Sequence, residues 1–228
     1  GFEAQGSTPP IATDEGETIF GTVLDDDIDG MGGDDQLNGN DGDDVLEGGA
    51  GNDRLSGNDG DDVLEGGAGN DSLFGQAGAD SLFGQGGDDE LQGNDGADSL
   101  FGEGGDDNLV SGDGDDVLNG GAGNDTLSGL SGGDVLEGGP GNDDLFGQAG
   151  ADSLFGQGGD DKLVGGNGDD LLVGGPGNDD LFGQAGADSV FMAPGDGNDT
   201  FNDFELGVDR VQVDAAFGFS DAEAVLDT

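Results

Sequence analysis

The chain reads as an all-β solenoid, and three observations predict it. Aspartate recurs every nine residues from Asp26 to Asp188, nineteen times, without insertion or deletion. Two residues after each aspartate stands an aliphatic residue, from Ile28 through Leu37 and Leu46 to Val190. Two residues before each stands glycine, from Gly33 to Gly186, with Leu24 the one exception. A fixed period of this length means that each repeat is one structural unit which buries its apolar residue only by stacking on its neighbours.

The nonapeptide Gly48-Gly49-Ala50-Gly51-Asn52-Asp53-Arg54-Leu55-Ser56 serves as the type, its residues numbered as positions one to nine. The first six are loop formers, because glycine and asparagine tolerate positive φ. The last three predict a short strand with Leu55 pointing inward and Arg54 and Ser56 outward. Alternate repeats differ. Those beginning at Gly30, Gly48 and Gly66 and onward carry Asp or Asn at position five (Asp34, Asn52, Asn70, Asp88 to Asn178). The intervening repeats mix Asp with Ala or Gly there (Asp43, Ala79, Ala97, Gly133, Ala151, Ala187), and they alone place Asp at position three (Asp41, Asp59, Asp95, Asp113). Two distinct sets of loops imply two repeats per coil, so 18 residues per turn and two parallel sheets. At ~4.8 Å per turn the rod is roughly 45 Å long.

Three segments follow. Residues 1–20 form a polar lead or linker with Pro9 and Pro10, residues 21–191 are the nonapeptides, and residues 192–228 lose the period. In the last segment the alternation of Val211 and Val213 predicts a strand, and Asp221 to Leu226 a short helix. An apolar, aperiodic piece after a solenoid is expected to cap its open end. The missing initial Met and abrupt end at Thr228 predict a fragment or a processed product.

Composition narrows the chemistry. The 54 acidic residues against Arg54, Lys162 and Arg210 give a formal charge of −51. Phosphates would be repelled, so nucleic acid and anionic membrane surfaces are excluded as partners, and cations are expected. No apolar run reaches membrane-spanning length, so no membrane insertion is expected, and no cleavable signal peptide is visible. Without Cys or His there is neither a thiolate or imidazole ligand nor the usual general base. Dozens of equivalent acids without a unique constellation also argue against an enzyme. High charge and 55 glycines would otherwise spell disorder, which is the expectation for the metal-free chain. Asp25-Asp26-Asp27-Ile28-Asp29-Gly30 opens like an EF-hand loop, but Gln36 stands at the twelfth position and no helices flank it.

The nonapeptides, among them Gly66-Gly67-Ala68-Gly69-Asn70-Asp71-Ser72-Leu73-Phe74 and Gly120-Gly121-Ala122-Gly123-Asn124-Asp125-Thr126-Leu127-Ser128, resemble those of the RTX (hemolysin-type calcium-binding) family over residues 30–191. The resemblance implies a right-handed parallel β-roll with a C-terminal cap, and calcium ions between loops of successive turns, such as those ending at Asp53 and Asp71 or at Asp62 and Asp80. The metal ligands expected are Asp35, Asp44, Asp53, Asp62, Asp71, Asp80, Asp89, Asp98, Asp107, Asp116, Asp125, Asp134, Asp143, Asp152, Asp161, Asp170, Asp179 and Asp188. Calcium takes six to eight oxygens from carboxylates and carbonyls, which glycine loops can turn toward an ion. Position five then contributes only its carbonyl. Up to about 17 ions fit between the turns, which would bring the charge from −51 to about −17. Without them the stacked carboxylates repel by ~1 kcal/mol per close pair even in water. The family further implies a secreted, extracellular bacterial protein that leaves through a type I export channel unfolded and folds in calcium outside.

The expected function is therefore a calcium-binding folding, export and stabilising module. Two alternatives are a structural or adhesive segment of a surface layer or matrix, and an accessory domain of a polysaccharide-processing or hydrolytic enzyme. Outward apolar residues at position nine (Phe74, Phe83, Phe101, Val110, Phe146, Phe155, Val164, Val173, Phe182, Phe191) are expected to support neighbouring strands, or else to form a stripe for self-association or a neighbouring domain. Val23 and Leu24 replace loop residues, so the first half-turn is expected to be an edge that binds calcium poorly. Ser111, which replaces a glycine, and Leu130 are each expected to perturb a single site.

Overall fold

A computed structural model describes residues 13, 15–193 and 195–213. Among these residues there is no helix, and twenty-two short strands alternate between two parallel sheets. Strands one, three, five and so on form one eleven-stranded sheet, beginning at Thr18–Phe20; the even strands form the other, beginning at Asp27–Asp29. Each strand pairs with the strand one coil away, so Leu37 lies against Leu55 and Leu46 against Leu64. The 18-residue coil read from the alternation of repeats is the coil observed.

The core is a single column of twenty aliphatic residues, from Ile19 and Ile28 through the leucines to Val190, each no more than 2% exposed. Their spacing of nine places successive members on opposite sheets, so each leucine meets leucines across the roll and along its own sheet. Position one also faces inward, as does the position-six aspartate. Every half-turn thus sends three groups inside: an aliphatic side chain, a bare glycine and a carboxylate.

The strands are longer than the three residues expected. Arg54–Asp59, for example, joins the last three residues of one nonapeptide to the first three of the next. The reason is that glycine-rich backbone keeps bonding to the coil above; Gly51 N–H donates to the Ala68 carbonyl at 2.9 Å. The corner falls at position two, where the backbone is left-handed even in eleven non-glycine residues, with φ from 67° to 87°. Several of these are glutamines that grip the coil below, as Gln76 Nε2 does in donating to Ser56 Oγ at 2.7 Å. Position four is left-handed too, but there only glycine fits. A Cβ on Gly96 would overlap the Gly78 carbonyl.

The ends depart from the pattern as their sequence does. Val23 and Leu24 are 67% and 62% exposed. At the other end Thr200–Phe201 and Arg210–Val213 add the last strand to each sheet, the latter where Val211 and Val213 alternate. Asp209 turns its oxygens to the amides of Asp188 and Glu205 rather than to Arg210. The helix expected over Asp221 to Leu226 lies outside the described residues.

Candidate metal centre

The eighteen aspartates from Asp35 to Asp188 stand in two files, one along each line of loops. Each is buried, no more than 3% exposed. Its Oδ1 accepts the backbone N–H of the residue 18 positions earlier, at 2.7–3.0 Å. Thus Asp53 N–H donates to Asp71, Asp62 N–H to Asp80, and each carboxylate locks its loop to the one before. The second oxygen, Oδ2, is buried in all eighteen without a hydrogen-bond partner. A buried, unpartnered carboxylate oxygen costs several kcal/mol unless a cation or a proton neutralises it.

The surroundings of that oxygen are built by position one. A Cβ on Gly48 would lie 2.5 Å from Asp53 Oδ2 and 2.6 Å from the Gly66 carbonyl oxygen of the next coil. On Gly30 it would lie 2.8 Å from Asp35 Oδ2 and 2.7 Å from the Gly48 carbonyl oxygen. Glycine at all but one of these positions suits the carboxylate and carbonyl that converge on the space a side chain would take. Among the described residues no three acidic side chains gather at one point, so an ion held here takes most of its ligands from backbone carbonyls. Oxygen-only ligands of this kind suit a hard cation of tolerant geometry, as calcium is.

Burial, partly opposed by the amide bond to Oδ1, drives these carboxyls up from their ordinary value. Asp80, Asp89, Asp134 and Asp161 reach about 7. Asp53, Asp62, Asp98, Asp107, Asp143, Asp170 and Asp179 reach about 6. Neighbours in the same file add to the rise in most of them, as Asp98 and Asp62 do for Asp80.

The repeats match the model of the RTX calcium-binding nonapeptide repeat at residues 20–55, 56–91, 83–118, 92–127, 101–136, 119–154, 128–163 and 155–190. Together these matches cover residues 20–190 without a break. The chain belongs to this family. No curated protein matches it. The RTX repeats account for the two files of aspartate, and their family chemistry makes calcium the cation.

Two features of these RTX loops were not read from the sequence. Position five does more than offer a carbonyl. Asn52 N–H donates to Asp34 Oδ1 at 2.9 Å, Asn70 N–H to Asn52 Oδ1 at 2.8 Å, and the bonds continue coil by coil to Asn198 on Asn178. On the opposite line Ala79, Ala97, Gly133 and Ala151 interrupt the series, leaving pieces such as Asp61 N–H on Asp43 at 3.0 Å. The strict Asp-or-Asn rule in one set of repeats was the available signal. The second feature is the partner of Asp26 in the first half-turn, already expected to bind calcium poorly: Thr22 donates its amide and its hydroxyl to Asp26 Oδ2. Asp26 therefore lacks the unpartnered oxygen of the other eighteen.

Leu130 leaves its loop intact. It takes the left-handed corner at position two, φ 71°, and keeps register with Gly112 and Gln148.

Proposed function

We propose that this chain is a calcium-gated folding module of a secreted protein, with the eighteen aspartates of the two files as carboxylate ligands. The observation that carries the reading is the recurrence of a buried, unpartnered Oδ2 at all eighteen, beside a position-one glycine at every one but Asp116. Calcium, when bound, supplies the positive charge and the oxygen coordination that these groups lack. The chain's own part is to hold each carboxylate by Oδ1, to present carbonyls through left-handed glycine, and to keep water out with the leucine column.

Folding and metal binding are then one event. At cytosolic calcium the carboxylates repel and the chain stays expanded, a form suited to export through a narrow channel. In extracellular calcium it folds and rigidifies whatever it is attached to. Type I export fits this order and is part of the proposal. The role is structural rather than catalytic, since no histidine or cysteine stands beside any carboxylate. The outward aromatics are read as lateral support for the strands. Phe83 and Phe101 stack at 5.1 Å, Arg54 lies 4.1 Å from the Phe74 ring centre, and Lys162 lies 5.0 Å from that of Phe146. These partners lie within the chain, which favours support over a self-association stripe.

Far-ultraviolet circular dichroism at neutral pH, with calcium and with chelator, tests the reading. The expected result is a β spectrum in millimolar calcium that collapses to that of an expanded chain on chelation. Full β signal in chelator would overturn it.

A further inference from the structure

Position one is glycine in every loop from Gly30 to Gly183 except one, and the exception is Ser111. Its side chain is not displaced toward solvent; Ser111 is 1% exposed. Its Cβ occupies the place where, in the other loops, a carbon would crowd within 3 Å of the position-six carboxylate oxygen and close to the carbonyl of the next coil. The hydroxyl donates to the Gly129 carbonyl at 2.7 Å, and Gly129 is the residue one coil on, equivalent to Gly66 above Gly48. The same hydroxyl lies beside the Asp116 carboxylate.

We propose that the half-turn headed by Ser111 is a rung closed by a hydroxyl instead of an ion, so that this RTX chain binds one calcium fewer than its loops would otherwise hold. Two facts about this side chain support it. The cradle is filled by a carbon that an ion cannot share, and the carbonyl that faces the cradle is engaged by a hydrogen bond. The backbone around the rung is undisturbed: Asp98 N–H still donates to Asp116 at 2.7 Å, and Asp116 N–H to Asp134 at 3.0 Å. The sheet register also continues, with Asn94, Gly112 and Leu130 in line. The rung therefore transmits the fold while omitting the ion. It divides its file into Asp44, Asp62, Asp80 and Asp98 on one side and Asp134, Asp152, Asp170 and Asp188 on the other. The facing file, with Asp107 and Asp125 at the same height, has glycine at Gly102 and Gly120 and no such break.

This inference rests on the calcium reading above, and one experiment separates the two. The full chain and its Ser111→Gly variant are compared by native mass spectrometry at saturating calcium, with the count checked by isothermal titration. Restoring glycine returns the loop to the common pattern, so the variant is expected to fold and to hold one ion more than the parent. An equal count in the two proteins overturns the inference while leaving the calcium reading in place. A parent that binds no calcium overturns both.

Discussion

A chain stripped of calcium and carried from about pH 7.5 to about pH 4.5 should gain β structure, because a proton can do part of what the cation does. The eleven carboxyls whose values rise to about 6 or about 7 in the fold start from 3.8. Each binds its proton more tightly folded than unfolded. Their contribution is therefore complete below the unfolded value and is lost as pH rises through the folded one. Shifts of two to three units correspond at face value to roughly 3–4 kcal/mol per group. The loops border solvent, and screening reduces this to roughly 1 kcal/mol each. Eleven such groups still sum to roughly 10 kcal/mol, as much as the whole stability of an ordinary domain. Circular dichroism of the calcium-free chain against pH, with sedimentation to monitor precipitation near the isoelectric point, makes the measurement. The expected transition has its midpoint between about 6 and 7, and saturating calcium should abolish it over the same range. A midpoint near the ordinary aspartate value, or no gain of structure at all, would refute the argument that burial of the carboxylates controls folding.

Other expectations concern single positions, each read from thermal unfolding in saturating calcium. Gly96→Ala forces a Cβ into the Gly78 carbonyl at a left-handed φ and should cost about 3 kcal/mol or more, whereas Gly158→Ala, with nothing within 4 Å, should stay within ~0.5 kcal/mol of the parent. Asn142→Ala breaks the unbroken position-five series and should cost ~1 kcal/mol, while Ala151→Asn should mend the opposite one and gain a similar amount; equal melting points for both and the parent would deny the series any role. Leu109→Ala empties part of the buried column and should cost ~3 kcal/mol.

What the sequence made legible follows from what recurs in it. One aliphatic residue in nine identifies the column, and the unequal loops identify the coil, because both are written in residue type. The strand length was not legible in the same way. Positions one to three of Gly57-Asn58-Asp59 have no strand preference of their own, and they join the ladder only because the coils above and below offer partners. The side-chain bonds of Asn52 and Asn70 were obscured by Ala79 and Ala151, which made the position look indifferent. It is indifferent in one line of loops and not in the other. Ser111 stood out in the sequence, but its consequence depended on seeing where the hydroxyl points. Leu130 stood out equally and leaves the corner and the register unchanged, since a corner that accepts Gln148 accepts leucine.

The register of one coil to the next sets a rule for how such a chain can lengthen or shorten. Removing nine residues from the middle would keep every leucine inward and every aspartate in a loop, so the core would register no fault. All the loops beyond the cut would nevertheless change sides. Asn124, Asn142 and Asp160 would then stack on the line of Ala79 and Ala97, and the unbroken series would end at the junction. Removing eighteen residues leaves both lines as they were. The rod therefore has a parity: whole coils are interchangeable units, and half-coils are not, although the core alone cannot tell them apart.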